Sequence, residues 1–79
     1  MDQAIANEIR GILSRALKRP VEDGEDVLRV NEPRWDSLKH MEILFSIEDA
    51  FDIQYDEDEL ASLNSLTALV SSVERIRAA

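Results

Sequence analysis

The residue of this 79-residue chain whose placement invites chemistry is Ser37. It stands in Trp35-Asp36-Ser37-Leu38, where a long polar connection gives way to a helical pattern, and the single histidine, His40, follows three positions on. A serine and a histidine one helical turn apart could form a nucleophile and its base. The surroundings argue against it: no third group is placed to orient the imidazole, no glycines supply an oxyanion hole, and so short a chain leaves no room for a deep cleft. His40 therefore reads as an exposed helical histidine. Asp52, Asp56, Glu57, Asp58 and Glu59 raise a second possibility, calcium. Counting from Asp52, however, the glycine position of an EF-hand loop holds Glu57 and its last ligand position holds Leu63, so no metal site is expected. What remains is the position of Ser37 itself. At the start of a helix its hydroxyl should be exposed and the first-turn amides free. Those amides and the helix dipole favour a phosphate there by about 0.3–1 kcal/mol. A phosphodiester on Ser37 would be held by forces that any helix supplies.

The elements that must position Ser37 are helical. Ile5, Ile9, Ile12, Leu13, Ala16 and Leu17 recur at helical spacing and predict a first helix over about residues 2–18, stopped by Pro20. Residues 20–35 form a long connection in which Val21, Val27, Leu28 and Val30 look like anchors across a core. A second helix runs from Asp36 or Ser37, with Asp36 as N-cap, to about Phe51, and Leu38, Met41, Leu44, Phe45, Ile47 and Phe51 are expected on its inner side. Asp56 and Glu59 resemble a capping box opening a short third helix to about Ala61 or Ser62. Asn64 or Ser65 caps a last helix whose inner stripe is Leu66, Leu69, Val70, Val73 and Ile76. The expected fold is all-α, a small four-helix bundle of three main helices, one short helix and a long first loop, forming a single domain over residues 1–79.

Composition narrows the partners. The chain holds seventeen acids against nine bases, a net charge of −8, and no cysteine. Such a charge repels nucleic-acid backbones and anionic lipid, and a basic protein surface is its natural complement. The last helix has no base before Arg75, which argues against a DNA-reading helix-turn-helix. Residues 1–39 carry eight acids and seven bases; residues 40–79 carry nine acids and only Arg75 and Arg77. The acid-rich half thus begins beside Ser37, where a basic enzyme could grip it. The start of the chain lacks the basic and apolar segments of a signal peptide, and no apolar run approaches a membrane span, so a cytoplasmic monomer is expected.

Taken in register, Asp36-Ser37-Leu38, Met41-Glu42-Ile43 and Ile47-Glu48-Asp49-Ala50-Phe51-Asp52-Ile53 resemble the acyl carrier protein pattern, and the likeness extends over essentially the whole chain. The resemblance implies a non-catalytic carrier with Ser37, flanked by Asp36 and Leu38, as the attachment site of 4′-phosphopantetheine. A phosphopantetheinyl transferase would deliver this group from coenzyme A with magnesium, and acyl groups would ride on its thiol as thioesters. Glu42, Glu48 and Asp49 would face basic patches on an acyl- or aminoacyl-activating ligase and on acyltransferase or synthase partners. Met41, Ile47, Tyr55, Leu60 and Leu63 match the positions that sheathe the acyl chain. Pro33-Arg34-Trp35, Lys39-His40 and Tyr55-Asp56 depart from the fatty-acid carriers, and imply a specialised lipid, polyketide or related pathway. An aminoacyl carrier, or an unmodified acidic docking module with the same fold, stand as the alternatives.

Overall fold

Side chains take up the free amides that open the helices, and α1 also has its last carbonyls bonded by one. The computed structural model describes residues 2–78. Asp2 Oδ1 accepts from the Ala4 and Ile5 amides at 2.9 and 3.2 Å and opens α1 (Gln3–Leu17). At its other end Lys18 turns left-handed (φ 56°, ψ 42°), and the Arg34 guanidinium donates to the Leu17 and Lys18 carbonyls at 3.0 and 3.2 Å. Asp36 caps α2 (Ser37–Phe51), its Oδ1 accepting from the Lys39 amide at 2.8 Å. The Asp56/Glu59 capping box opens α3 (Glu57–Leu60), and Ser65 Oγ accepts from Ala68 N–H at 3.0 Å ahead of α4 (Leu66–Ala78). Among the described residues there is no strand, and the only bridge is an isolated antiparallel one between Leu28 and Ser65. The fold is the expected small all-α bundle.

α1 packs against both α2 and α4, so its stripe forms the middle of the core. Ile9, Leu13 and Leu17 meet Ile43, Leu44 and Ile47 of α2 and Leu69, Val70 and Val73 of α4, all essentially without solvent contact. At roughly 25 cal/mol per Å² this apolar burial is the main stabilising term of the domain.

Two expectations about α2 are corrected. The buried face is His40, Ile43, Leu44 and Ile47, not the face carrying Leu38 and Phe45, which are 72% and 59% exposed. At 100° per residue, Leu38 and Phe45 lie roughly 150° around the helix from His40. His40 is accordingly not an exposed histidine: it is 5% exposed, accepts from Trp35 Nε1–H on Nδ1 at 2.9 Å, and donates from Nε2 to the Leu60 carbonyl at 2.8 Å. Burial is tolerated because both ring nitrogens are bonded, which makes the ring the neutral Nε2-protonated tautomer.

The long loop is ordered, but not by all the expected anchors. Val27 and Trp35 are buried and Val21 packs on the core, whereas Leu28 is 37% and Val30 87% exposed. Leu28 and Val30 are excluded from the core because their segment is pinned through its backbone instead. Leu66 N–H donates to Val27 C=O and Arg29 N–H to Asn64 C=O, each at 2.9 Å, and Asp26 Oδ1 accepts from Thr67 N–H at 2.9 Å. A 3₁₀ turn, Arg29–Asn31, carries Val30 outward.

Trp35→Phe keeps an aromatic ring but removes the indole N–H and part of the buried volume, and strands His40 Nδ1 in a buried site. It should cost about 1–3 kcal/mol, read as a lower urea midpoint at unchanged slope. Val30→Ser should change stability by less than about 0.5 kcal/mol.

Candidate functional site

Ser37 is the first residue of α2 and is exposed. Asp36 satisfies the third amide of the turn through its carboxylate and the fourth through its carbonyl, which accepts from His40 N–H at 2.8 Å. The Ser37 and Leu38 amides, first and second in the helix, have no intrahelical acceptor. The side-chain neighbour of the Ser37 hydroxyl is Arg29, whose Nη2 lies 3.4 Å from Oγ. The same guanidinium donates from Nε to Trp35 C=O at 3.2 Å and from Nη1 to Asn64 Oδ1 at 3.4 Å. Nothing in the local sequence signals Arg29, because it is eight residues from Ser37 and the loop fold alone brings them together.

Lys39, two residues along, is paired with Glu42 at 2.8 Å. Beyond it the outward side of α2 presents Leu38, Glu42, Phe45 and Asp49, all exposed. This surface alternates apolar and acidic groups and starts beside Ser37. Phe45, assigned inward from its residue type, belongs to it; its angular position relative to Leu44 and Ile47 was the available signal. Glu48 is different from Glu42 and Asp49: it is half-buried and accepts from Tyr55 N–H at 2.8 Å, so its carboxylate also holds the α2–α3 connection.

The residues matched to an acyl sheath divide in two. Ile47, Tyr55 and Leu63 are buried in the common core, while Met41 and Leu60 are half-buried at its edge. Tyr55 donates its hydroxyl to Ser72 Oγ at 2.7 Å, since the Ser72 proton goes to Leu69 C=O. Burial pushes the Tyr55 hydroxyl pKa up. Leu63 also lines an open groove of about 610 Å³ with Asp56, Asp58, Glu59, Ser62, Arg75 and Ile76. Among the described residues no group of three or more His, Asp or Glu side chains gathers to hold a metal ion.

A comparison with models of known protein families finds no match. The chain is, however, 36% identical over 72 residues to acyl carrier protein 3 of Ralstonia nicotianae, an alignment covering 89% of this chain and 82% of the relative. The chain belongs to the acyl carrier protein family. Its all-helical architecture agrees with that membership, and its role is that of a carrier protein. No helix among the described residues is long and apolar enough to cross a membrane.

In this carrier the loop that presents Ser37 is stapled by Arg19, which bonds Glu25 at 2.7 Å and Glu32 at 2.9 Å. The Arg19 guanidinium, aided by Glu22 N–H, holds the Glu25 carboxyl below its usual range. The Arg34 amide, followed by Arg19, does so for Glu32. With folded pKa values depressed, this contribution to stability is complete above the unfolded glutamate pKa of about 4.3 and is lost as pH falls through the lower folded values. Amide protection factors over residues 20–35 should therefore drop on acidification below about pH 4 before those of α1 do. Arg19→Gln should lower them already at neutral pH.

Proposed function

We propose that this carrier is modified on Ser37 with 4′-phosphopantetheine and holds acyl groups for the enzymes of a specialised lipid, polyketide or related pathway. The observation that carries the reading is the exposed Ser37 hydroxyl on the first turn of a long helix, at the end of a pinned loop and beside a cation. These residues fit the group. Ser37 Oγ would bear it, Asp36 holds the first turn in shape, and Arg29 and the free amides suit a phosphodiester. The bound group would supply a terminal thiol, which the chain's own sequence lacks, for carrying acyl groups as thioesters.

Attachment forms a bond from Ser37 Oγ to phosphorus and breaks the diphosphate of coenzyme A, releasing adenosine 3′,5′-bisphosphate. The Ser37 proton must leave to a base. Arg29 has no acceptor capacity and the Asp36 carboxylate is engaged as the helix cap, so we assign that base to the phosphopantetheinyl transferase. The carrier contributes the nucleophile and its presentation, and its value to later enzymes is effective concentration.

Docking would fall on the outward face of α2. Glu42 and Asp49 complement a basic rim, and Leu38 and Phe45 give that rim an apolar centre. Glu48 would contribute less to docking because it is engaged with Tyr55. Met41 and Leu60, at the edge of the core, would meet an acyl chain first. Ile47, Tyr55 and Leu63 would line its path only if their packing parted.

Co-expression with a broad-specificity transferase should add one phosphopantetheinyl mass to the intact protein, and Ser37→Ala should abolish it; an unchanged mass with every transferase tried defeats the reading. Asp49→Lys and Glu42→Lys should each slow association with the transferase by about three- to tenfold at low salt, the difference shrinking as salt is added. Phe45→Ala should instead raise KM with little change in its salt dependence, at unaltered helicity by circular dichroism.

A further inference from the structure

Arg29 is the cation that reaches Ser37, and it does so without a carboxylate partner. Arg10, Arg19, Lys39 and Arg75 each pair with a carboxylate; Arg29, like Arg15, Lys18, Arg34 and Arg77, makes no ion pair among the described residues, in a chain of net charge −8. It is half-buried, and the oxygens around its guanidinium are neutral: Trp35 C=O, Asn64 Oδ1 and the hydroxyl of Ser37. A guanidinium has five N–H donors in a planar fork, and these contacts use three. Two donors and a full positive charge are left beside the one oxygen that the proposed modification would convert to an ester.

The side chain is also held in place. The Arg29 amide donates to Asn64 C=O at 2.9 Å, its carbonyl accepts from Glu32 N–H at 3.1 Å, and Leu28 forms the bridge to Ser65. Its backbone is thus bound to the α3–α4 connection while its side chain reaches α2. The remaining charges near Ser37 are already engaged. The Asp36 carboxylate accepts from the Lys39 amide, and the Lys39 ammonium is paired with Glu42.

We infer that Arg29 is a positioning residue that clamps the phosphodiester on Ser37, fixing the direction in which the attached arm leaves the protein. The inference rests on the modification of Ser37 proposed above. On esterification Ser37 Oγ loses its proton and gains a neighbouring monoanion. The 3.4 Å contact with a neutral hydroxyl then becomes a charge-assisted one, for which guanidinium geometry is suited. Because the same guanidinium holds Trp35 C=O and Asn64, the clamp would join the arm to the end of the long loop and to the turn before α4. The contact is partly exposed, so added salt should weaken it.

The test uses the full chain in unmodified and phosphopantetheinylated forms, for the wild type, Arg29→Gln and Arg29→Lys, with intact mass establishing modification in each. Failure of the wild type to gain the mass removes the proposed function itself; the clamp is judged only on proteins that have gained it. In the wild type, modification should raise the thermal midpoint by about 4 °C at low salt and displace the ³¹P resonance from that of free pantetheine phosphodiester. Arg29→Gln should lose most of both effects, and Arg29→Lys should recover part of the thermal increment. The same increment and the same ³¹P shift in wild type and Arg29→Gln would overturn the clamp. If Arg29→Gln does not fold, the wild-type Arg29 Nε–H cross-peak decides. Movement on modification supports the clamp, and an unmoved peak refutes it.

Discussion

Trp35 donates its indole N–H to His40, and His40 passes a proton donor on to the Leu60 carbonyl, so one buried chain of two hydrogen bonds spans three separate pieces of the fold. It fastens the end of the long loop to the first turn of α2, and that turn to the last residue of α3. Ser37 lies between the two bonded partners in sequence, and its exposure follows. With Trp35 and His40 both drawn inward, the residues between them at the helix start, Asp36, Ser37 and Leu38, are turned out to solvent. Trp35 and His40 are thus one device. Neither would be stable in the core alone, since an unpaired indole N–H or imidazole nitrogen in a buried site is costly.

The arginines complete the same task in a strongly acidic chain. Arg19 draws Glu25 and Glu32 together, Arg34 takes the last carbonyls of α1, and Arg29 holds Trp35 C=O and Asn64. A long loop would ordinarily be the most mobile part of so small a domain, because its ordering entropy is not offset by buried apolar area. Here charge-assisted bonds to backbone and carboxylate groups take that role. Cations are used on the loop to hold the structure, while acids are left on α2 facing outward. The uneven charge distribution of the sequence therefore has a structural part on the loop and an outward-facing acidic part on α2.

The candidate site was only partly legible from the residues. Ser37 and Asp36 could be placed because a capping residue at a loop–helix boundary is a local signal, and Asp56 with Glu59 was readable for the same reason. The outward face of α2 was misread where residue type was weighed over angular position. Phe45 and Leu38 are apolar and exposed, His40 is polar and buried, and the spacing of His40, Ile43, Leu44 and Ile47 contains the correct answer. Arg29 had no such signal, since its approach to Ser37 depends on a backbone pairing with residues 64–66.

What the sequence by itself determined is the set of helices, the caps that open the last three, the serine at the start of the second one and the absence of a thiol. Each is a matter of local periodicity, local hydrogen bonding or simple composition, and none requires knowing what lies across the core. Only the tertiary structure decided which way α2 faces, which loop residues are anchors, that Glu48 serves the α2–α3 connection, and that a cation waits beside Ser37. Those outcomes depend on contacts between residues far apart in the chain. In such contacts a buried polar group is allowed only when its partners arrive from other elements, and no local rule can supply the partners.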